Sequence, residues 1–214
     1  MTSVAVPTGL IAILRGLVPD DALAVGRAVH DAGIGTLEIP LNSPDPYRSI
    51  RLLRDGLPGC TVGAGTVLTA AEVGDAHAAG AQMVVSPNTD RGVIAETVRL
   101  GMRSYPGAAT PSEAFTAVAA GAAAIKVFPA IQVGPAGMKA WTAVLPAGVE
   151  LIPVGGVDAG DFPAWIAAGA TGFGVGSALY QPGAAAADVA ARARILHSAW
   201  QEASAPLFNY GARP

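Results

Sequence analysis

Eight times along the chain a short apolar run gives way to a turn and then to an amphipathic stretch. These strand candidates fall at residues 10–14, 36–39, 61–63, 83–86, 103–105, 124–128, 151–154 and 172–175, the fifth of them the mixed Arg103-Ser104-Tyr105. They are brief, rich in Val and Ile, and punctuated by Gly or Pro, as buried strands are. Between them, patterns of helical period are expected over 19–32, up to 54, and over 69–79, 90–100, 111–120, 136–144, 161–168 and 184–203. Pro19-Asp20-Asp21 places a proline and two acids where a helix N-terminus favours them, and Gly33, Gly80, Gly121 and Gly169 stand where helices stop. Alternation of this kind forces a parallel sheet covered by helices, and eight repeats fit a closed (β/α)8 TIM barrel in the α/β class. Such barrels typically need about 250 residues; a chain of 214 must therefore use short loops. A doubly wound open sheet is the alternative, weakened because no Gly-x-Gly-x-x-Gly follows the first strand. The expectation is a single domain over 1–214, with an aperiodic tail from about 204.

Composition narrows the function classes. Apolar residues make up 51% and charged residues only 14%, which suits a well-buried enzyme-sized core and not a disordered chain. The formal charge is −3 with the signs mixed, so no basic stripe marks a nucleic-acid or membrane surface. The lone Cys60 reads as a small apolar filler. His30, His77 and His197 fall in separate helical patterns without metal-ligand spacing. Met1 to Gly9 lacks the basic start of a signal peptide, and the longest uncharged run, 162–187, is broken by glycines and Pro182. A cytoplasmic location is expected.

In a barrel the chemistry sits at the C-terminal ends of the strands. Polar residues at or near those ends are Arg15, Glu38, Thr66, Ser86, Asn88, Lys126 and Ser177. Lys126 stands out, because the chain has two lysines against eleven arginines and places one inside Ile125-Lys126-Val127-Phe128-Pro129. Burial depresses an amine's pKa, and a neutral amine in an apolar pocket attacks carbonyl carbons. The strand alone fits equally a lysine that snorkels to water or sits in an ion pair. Glu38, in Thr36-Leu37-Glu38-Ile39-Pro40, reads as a proton-transfer group beside that amine or as its structural counter-ion. Gly63-Ala64-Gly65-Thr66 follows the third strand, and its glycines free backbone N–H groups to point at a ligand. Gly155-Gly156 and Gly174-Val175-Gly176-Ser177 follow the seventh and eighth strands, the pair of loops with which barrels often hold phosphate. Arg15, at the end of the first strand, adds a counter-charge.

Taken together, Glu38-Ile39-Pro40-Leu41-Asn42-Ser43-Pro44, Gly63-Ala64-Gly65-Thr66-Val67, Ile125-Lys126-Val127-Phe128-Pro129 and Val154-Gly155-Gly156-Val157 resemble the class I aldolases that cleave 2-keto-3-deoxy-6-phosphosugar acids. The resemblance spans roughly residues 10–202, in order. It implies Lys126 as the Schiff-base lysine and Glu38 as the acid/base. It further implies Gly65 and Thr66 at the keto-acid carboxylate, Arg15, Gly155, Gly156, Gly176 and Ser177 at the phosphate, and Phe128 and Val154 against the substrate chain. A phosphorylated keto acid as substrate, a homotrimer, and neither metal nor other cofactor are implied as well. Within the family, Asn42 and Val154 resemble the branch acting on the galactonate-derived substrate; the gluconate branch typically carries Arg and Thr there. Two rivals from other classes remain at this point. A phosphosugar isomerase or epimerase on the same barrel needs no mid-strand lysine, and a non-catalytic sugar-phosphate binder forms no adduct with pyruvate.

Overall fold

The computed structural model describes residues 8–208. In chain order these form β1 (Gly9–Ile13), α1 (Pro19–Asp31), β2 (Thr36–Pro40), α2 (Pro46–Gly56), β3 (Thr61–Gly65), α3 (Ala70–Ala78), β4 (Met83–Val85) and α4 (Arg91–Arg99). They continue with β5 (Arg103–Tyr105), β6 (Gly107–Ala108), α5 (Pro111–Ala119), β7 (Ile125–Val127), α6 (Ala130–Thr142), β8 (Leu151–Pro153), α7 (Phe162–Ala167), β9 (Gly172–Val175) and α8 (Ala186–Phe208).

Every strand pairing is parallel, in an α/β arrangement. The expected single eight-stranded ladder is not what pairs. The strands fall instead into a curled six-stranded sheet, β5-β4-β3-β2-β1-β9, and a three-stranded one, β6-β7-β8. Proline accounts for one seam: Pro106 has no N–H to give the ladder, so the fifth strand is cut into β5 and β6. Backbone contacts still cross both seams. Lys126 N–H donates to the Pro106 carbonyl at 2.9 Å, Ala123 N–H to the Ser104 carbonyl at 2.8 Å, and Val154 bridges to Gly174.

Period-two alternation sorts the strand residues into two packed layers. Leu10, Ala12, Leu37, Ile39, Ile125 and Val127 join the core shared with the helices. Ile11, Ile13, Met83, Val85, Tyr105 and Ile152 form a second cluster inside the curl of the sheet. Glu38 and Lys126 occupy the same inward parity as that second cluster, which is why two ionisable groups end up buried.

Local signals set the helices. Thr69 with Glu72, and Thr110 with Glu113, make reciprocal capping boxes, and Asp90 accepts from Val93 N–H to open α4. Each such cap is worth about 1 kcal/mol. Two helices differ from expectation. α6 starts at Ala130 and not near 136, with a break at Gly134 (φ 68°) ahead of Pro135 that separates a short first turn from the rest. α8 runs past Ala203 to Phe208 and buries Ser204, so no aperiodic tail begins at 204; 209–214 lie outside the described residues. No helix among the described residues is long and apolar enough to cross a membrane.

Candidate active site

Lys126 is the central residue of β7, and its neighbours Ile125 and Val127 face the helices. Its side chain therefore turns inward, where only 5% of it is exposed. Glu38, central in β2, is 1% exposed. It stands in register with Ile13 of β1 and Gly63 of β3. Among the described residues neither group is in an ion pair, and Glu38 Oε2 is buried without a hydrogen-bond partner. A purely structural counter-ion would normally be paired to offset its desolvation.

Burial dominates the electrostatics. It pushes the Glu38 carboxyl up to about 7, against the downward pull of the Lys126 and Arg15 cations. It pushes the Lys126 amine down, opposed by Glu38 and assisted by Arg15. The Lys126 Nζ lies 4.5 Å from the centroid of the Phe128 ring, whose face offers the ammonium form some compensation. An amine eased toward neutrality beside a carboxyl that titrates near neutral pH can carry both nucleophilic attack and proton transfer.

Above the two groups opens a cleft with room for about 140 Å³. Lys126, Glu38, Arg15, Phe128, Val154, Gly155, Gly156, Gly176 and Ser177 line it, so these expected site residues meet in one place. Beneath lies a much tighter space of about 10 Å³, room for no more than a water molecule, bounded by Tyr105, Val85 and Ile152. Gly155 (φ 94°) and Gly156 (φ 76°) adopt left-handed backbone that favours glycine, and a Cβ on Gly155 would press on the Phe128 ring at 3.3 Å. Ile131 N–H donates to the Gly155 carbonyl at 3.3 Å, so the first turn of α6 braces this loop. The result is a glycine-walled cleft with Arg15 at its rim, a cation in no ion pair among the described residues. Its Nη1 donates to Asn42 Oδ1 at 2.6 Å and its Nη2 to Thr66 Oγ at 3.4 Å.

Gly65 and Thr66 fall differently from expectation. β3 extends through Gly65, so Gly63-Ala64-Gly65 belongs to the ladder and not to a loop after the strand. Neither Gly65 nor Thr66 lines the cleft or the cavity under it. A Cβ on Gly63 would collide with Met83, and one on Gly65 with the Glu38 carboxyl. Gly174 behaves alike: its Cβ would sit 2.7 Å from Val154 Cγ2 and 3.1 Å from Ile13 Cδ1. These inward glycines are notches for a neighbour's side chain. Thr66 is held at φ 58°, a strained backbone for a β-branched residue that costs roughly 1–3 kcal/mol. Ser86 and Asn88 line neither space.

Gly174 of the last glycine-rich turn lines the cleft as well, and so do Ile13 and Val157, which the sequence did not mark as site residues. Counting in twos along the first strand from Ile11 finds Ile13 on the inner face; nothing comparable flags Val157.

Comparisons with known proteins show which family the chain resembles. The family described as KDPG and KHG aldolase matches residues 3–195. The chain is 49% identical over 185 residues to the probable 2-dehydro-3-deoxy-6-phosphogalactonate aldolase of Rhizobium meliloti (strain 1021), covering 86% of this chain and 87% of that protein. It is 45% identical over 195 residues to 2-dehydro-3-deoxy-6-phosphogalactonate aldolase of Escherichia coli (strain K12), covering 91% and 95%. A solved structure described as native KDPGal superposes with a TM-score of 0.89 at 44% identity, covering 92% of this chain and 96% of the other.

Proposed function

The chain belongs to the KDPG and KHG aldolase family, and from that premise we propose that it cleaves 2-dehydro-3-deoxy-6-phosphogalactonate to pyruvate and D-glyceraldehyde 3-phosphate through a Schiff base on Lys126. The observation that carries the assignment of Lys126 is its inward burial beside an unpaired Glu38 at the bottom of the cleft.

Neutral Lys126 attacks the C2 ketone, and the carbinolamine loses water to give an iminium ion. That ion is the electron sink, so the chemistry needs no metal. Ionised Glu38 takes the C4 hydroxyl proton, the C3–C4 electron pair moves into the iminium to form an enamine, and the aldehyde departs. Protonation of the enamine at C3 and hydrolysis return pyruvate and the free amine. Glu38 alternates between base and acid across these steps, which suits a carboxyl titrating at about 7. Gly155, Gly156, Gly176, Ser177 and Arg15 hold the phosphate. The test is to incubate the protein with pyruvate and borohydride, map the adduct by mass spectrometry, and assay pyruvate release from the galactonate-derived substrate. Adduct at Lys139, or none, overturns the reading.

Val154 sets the epimer preference. It is 7% exposed, bridges to Gly174, and lines both the cleft and the cavity beneath. The two sibling substrates differ only at C4. A hydroxyl at position 154 hydrogen-bonds one orientation of the aldehyde, whereas valine offers a methyl of similar size and no bond. One such mismatch is worth about 1–3 kcal/mol, or roughly 5- to 150-fold. Wild type should favour the galactonate-derived epimer in kcat/KM, and Val154→Thr should narrow or reverse the ratio. A wild-type preference for the gluconate-derived epimer defeats the substrate assignment.

Asn42 enters through Arg15. With its 2.6 Å hydrogen bond gone, the exposed guanidinium of Arg15 swings freely. Asn42→Ala should raise KM for the phosphorylated substrate by about 3- to 10-fold, as loss of one charge-assisted hydrogen bond would, and leave kcat nearly unchanged. An unchanged KM removes Arg15 from the phosphate site.

Three wider readings go with this one. The contacts across both seams support a (β/α)8 barrel, folded as a single domain over 1–214. The family resemblance supports a homotrimer, checked by sedimentation. A cytoplasmic enzyme fits the substrate class.

A further inference from the structure

We infer that Gly65 is a positioning residue for Glu38: the side chain it lacks leaves the notch in which the Glu38 carboxyl lies. The inference rests on the reading of Glu38 as the acid/base and deepens it.

A glycine in a strand weakens it, so some need must hold it there. Gly65 ends β3, paired with Pro40 of β2 on one side and Val85 of β4 on the other. Three needs are conceivable. The first is a left-handed backbone, but Gly65 is not among the glycines with positive φ. The second is a backbone N–H offered to a ligand, but any residue other than proline supplies that N–H, and Gly65 does not line the cleft. The third is space. A Cβ built on Gly65 would overlap Glu38 Oε1 and Cδ and crowd Oε2 at 2.6 Å.

The notch at Gly174 receives the Val154 and Ile13 side chains, and the one at Gly63 the Met83 side chain together with the Met83 backbone carbonyl. An unbranched Met side chain can itself bend aside. Glu38 has less freedom. It is 1% exposed in mid-strand, with Ile13 in register on one side. Its Oε2 has no hydrogen-bond partner, so shape and not a tether fixes that end of the carboxyl. A methyl at position 65 must drive the carboxyl out of the notch into the cleft. Catalytic proton transfer tolerates little displacement, because donor and acceptor must meet at hydrogen-bond distance.

The experiment uses the full chain in three variants: Gly65→Ala, Glu38→Asp and the double variant. Gly65→Ala should still trap pyruvate at Lys126 with borohydride, lose about 10-fold or more in kcat, and shift the acid limb of its pH profile relative to that measured for the wild type. Glu38→Asp, which shortens the side chain by one methylene, should slow the wild type. In the Gly65→Ala background the same shortening makes room for the methyl, so the double variant should turn over at least as fast as Gly65→Ala alone. Non-additivity of that sign is the signature of the notch. If Gly65→Ala fails to fold, the double variant should fold and turn over; failure of both overturns the inference. So does a multiplicative loss, or a Gly65→Ala enzyme with raised KM but unchanged kcat and pH profile, which marks Gly65 as a ligand contact. Full activity in Glu38→Gln defeats the acid/base assignment separately, whatever the Gly65 variants do.

Discussion

Lys126→Arg should form no borohydride-trapped adduct with pyruvate and should lose turnover by roughly 10⁴-fold or more, the scale on which removing a covalent nucleophile acts. The substitution keeps a positive charge and a long stem, so the surrounding packing is largely respected. What it removes is the ability to lose a proton. Guanidinium stays protonated at any working pH, whereas burial presses the Lys126 ammonium toward its neutral form. The readout is intact-mass spectrometry after reduction, beside pyruvate release. Residual adduct in the variant would place the chemistry on Lys139, the one other lysine in the chain.

Glu38→Gln should cost about 10²- to 10⁴-fold in kcat, the range for a lost general acid–base group, with the fold retained. Gln keeps the shape in the Gly65 notch and discards the proton. The pH dependence sharpens the test. In cleavage Glu38 must be ionised to accept the C4 hydroxyl proton, and its carboxyl titrates at about 7. As pH falls below that value the ionised fraction drops, approaching tenfold per unit, and kcat/KM should follow it down. The variant should show no such limb. A Glu38→Gln enzyme with wild-type rates would reduce Glu38 to a structural role.

Much of the site was legible from the chain. Lys126 and Glu38 declared themselves because charge inside a β-branched apolar run is costly and rare. The glycines after the last two strands declared themselves through their place in the repeat. Other features were not legible, for physical reasons. Gly65 was read as a ligand-facing amide because a lone sequence does not say which neighbour occupies the space beside a glycine; only the Glu38 carboxyl above it does. The early start of α6 at Ala130 was hidden by Gly134-Pro135, which breaks the period that would have announced it. One of the two seams that divide the strands into six and three lies at Pro106, which cuts the ladder inside a stretch that reads as a single strand end. Asn42 gained its link to Arg15 only from the fold, since 27 residues separate them.

The inward glycines also constrain how such a pocket can change over generations. Gly174 has Val154 and Ile13 pressed into the space its own side chain would claim, at 2.7 and 3.1 Å. A larger residue at 174 is admissible only after Val154 or Ile13 has been trimmed, and the trimmed intermediate carries a void costing about 1 kcal/mol or more. Single-step routes that add bulk to this wall are closed, while two-step routes run through a destabilised ancestor. Neighbouring strands should therefore exchange bulk in compensating pairs. A laboratory selection for new aldehyde acceptors should recover changes at 154 and 174 together far more often than a change at 174 alone.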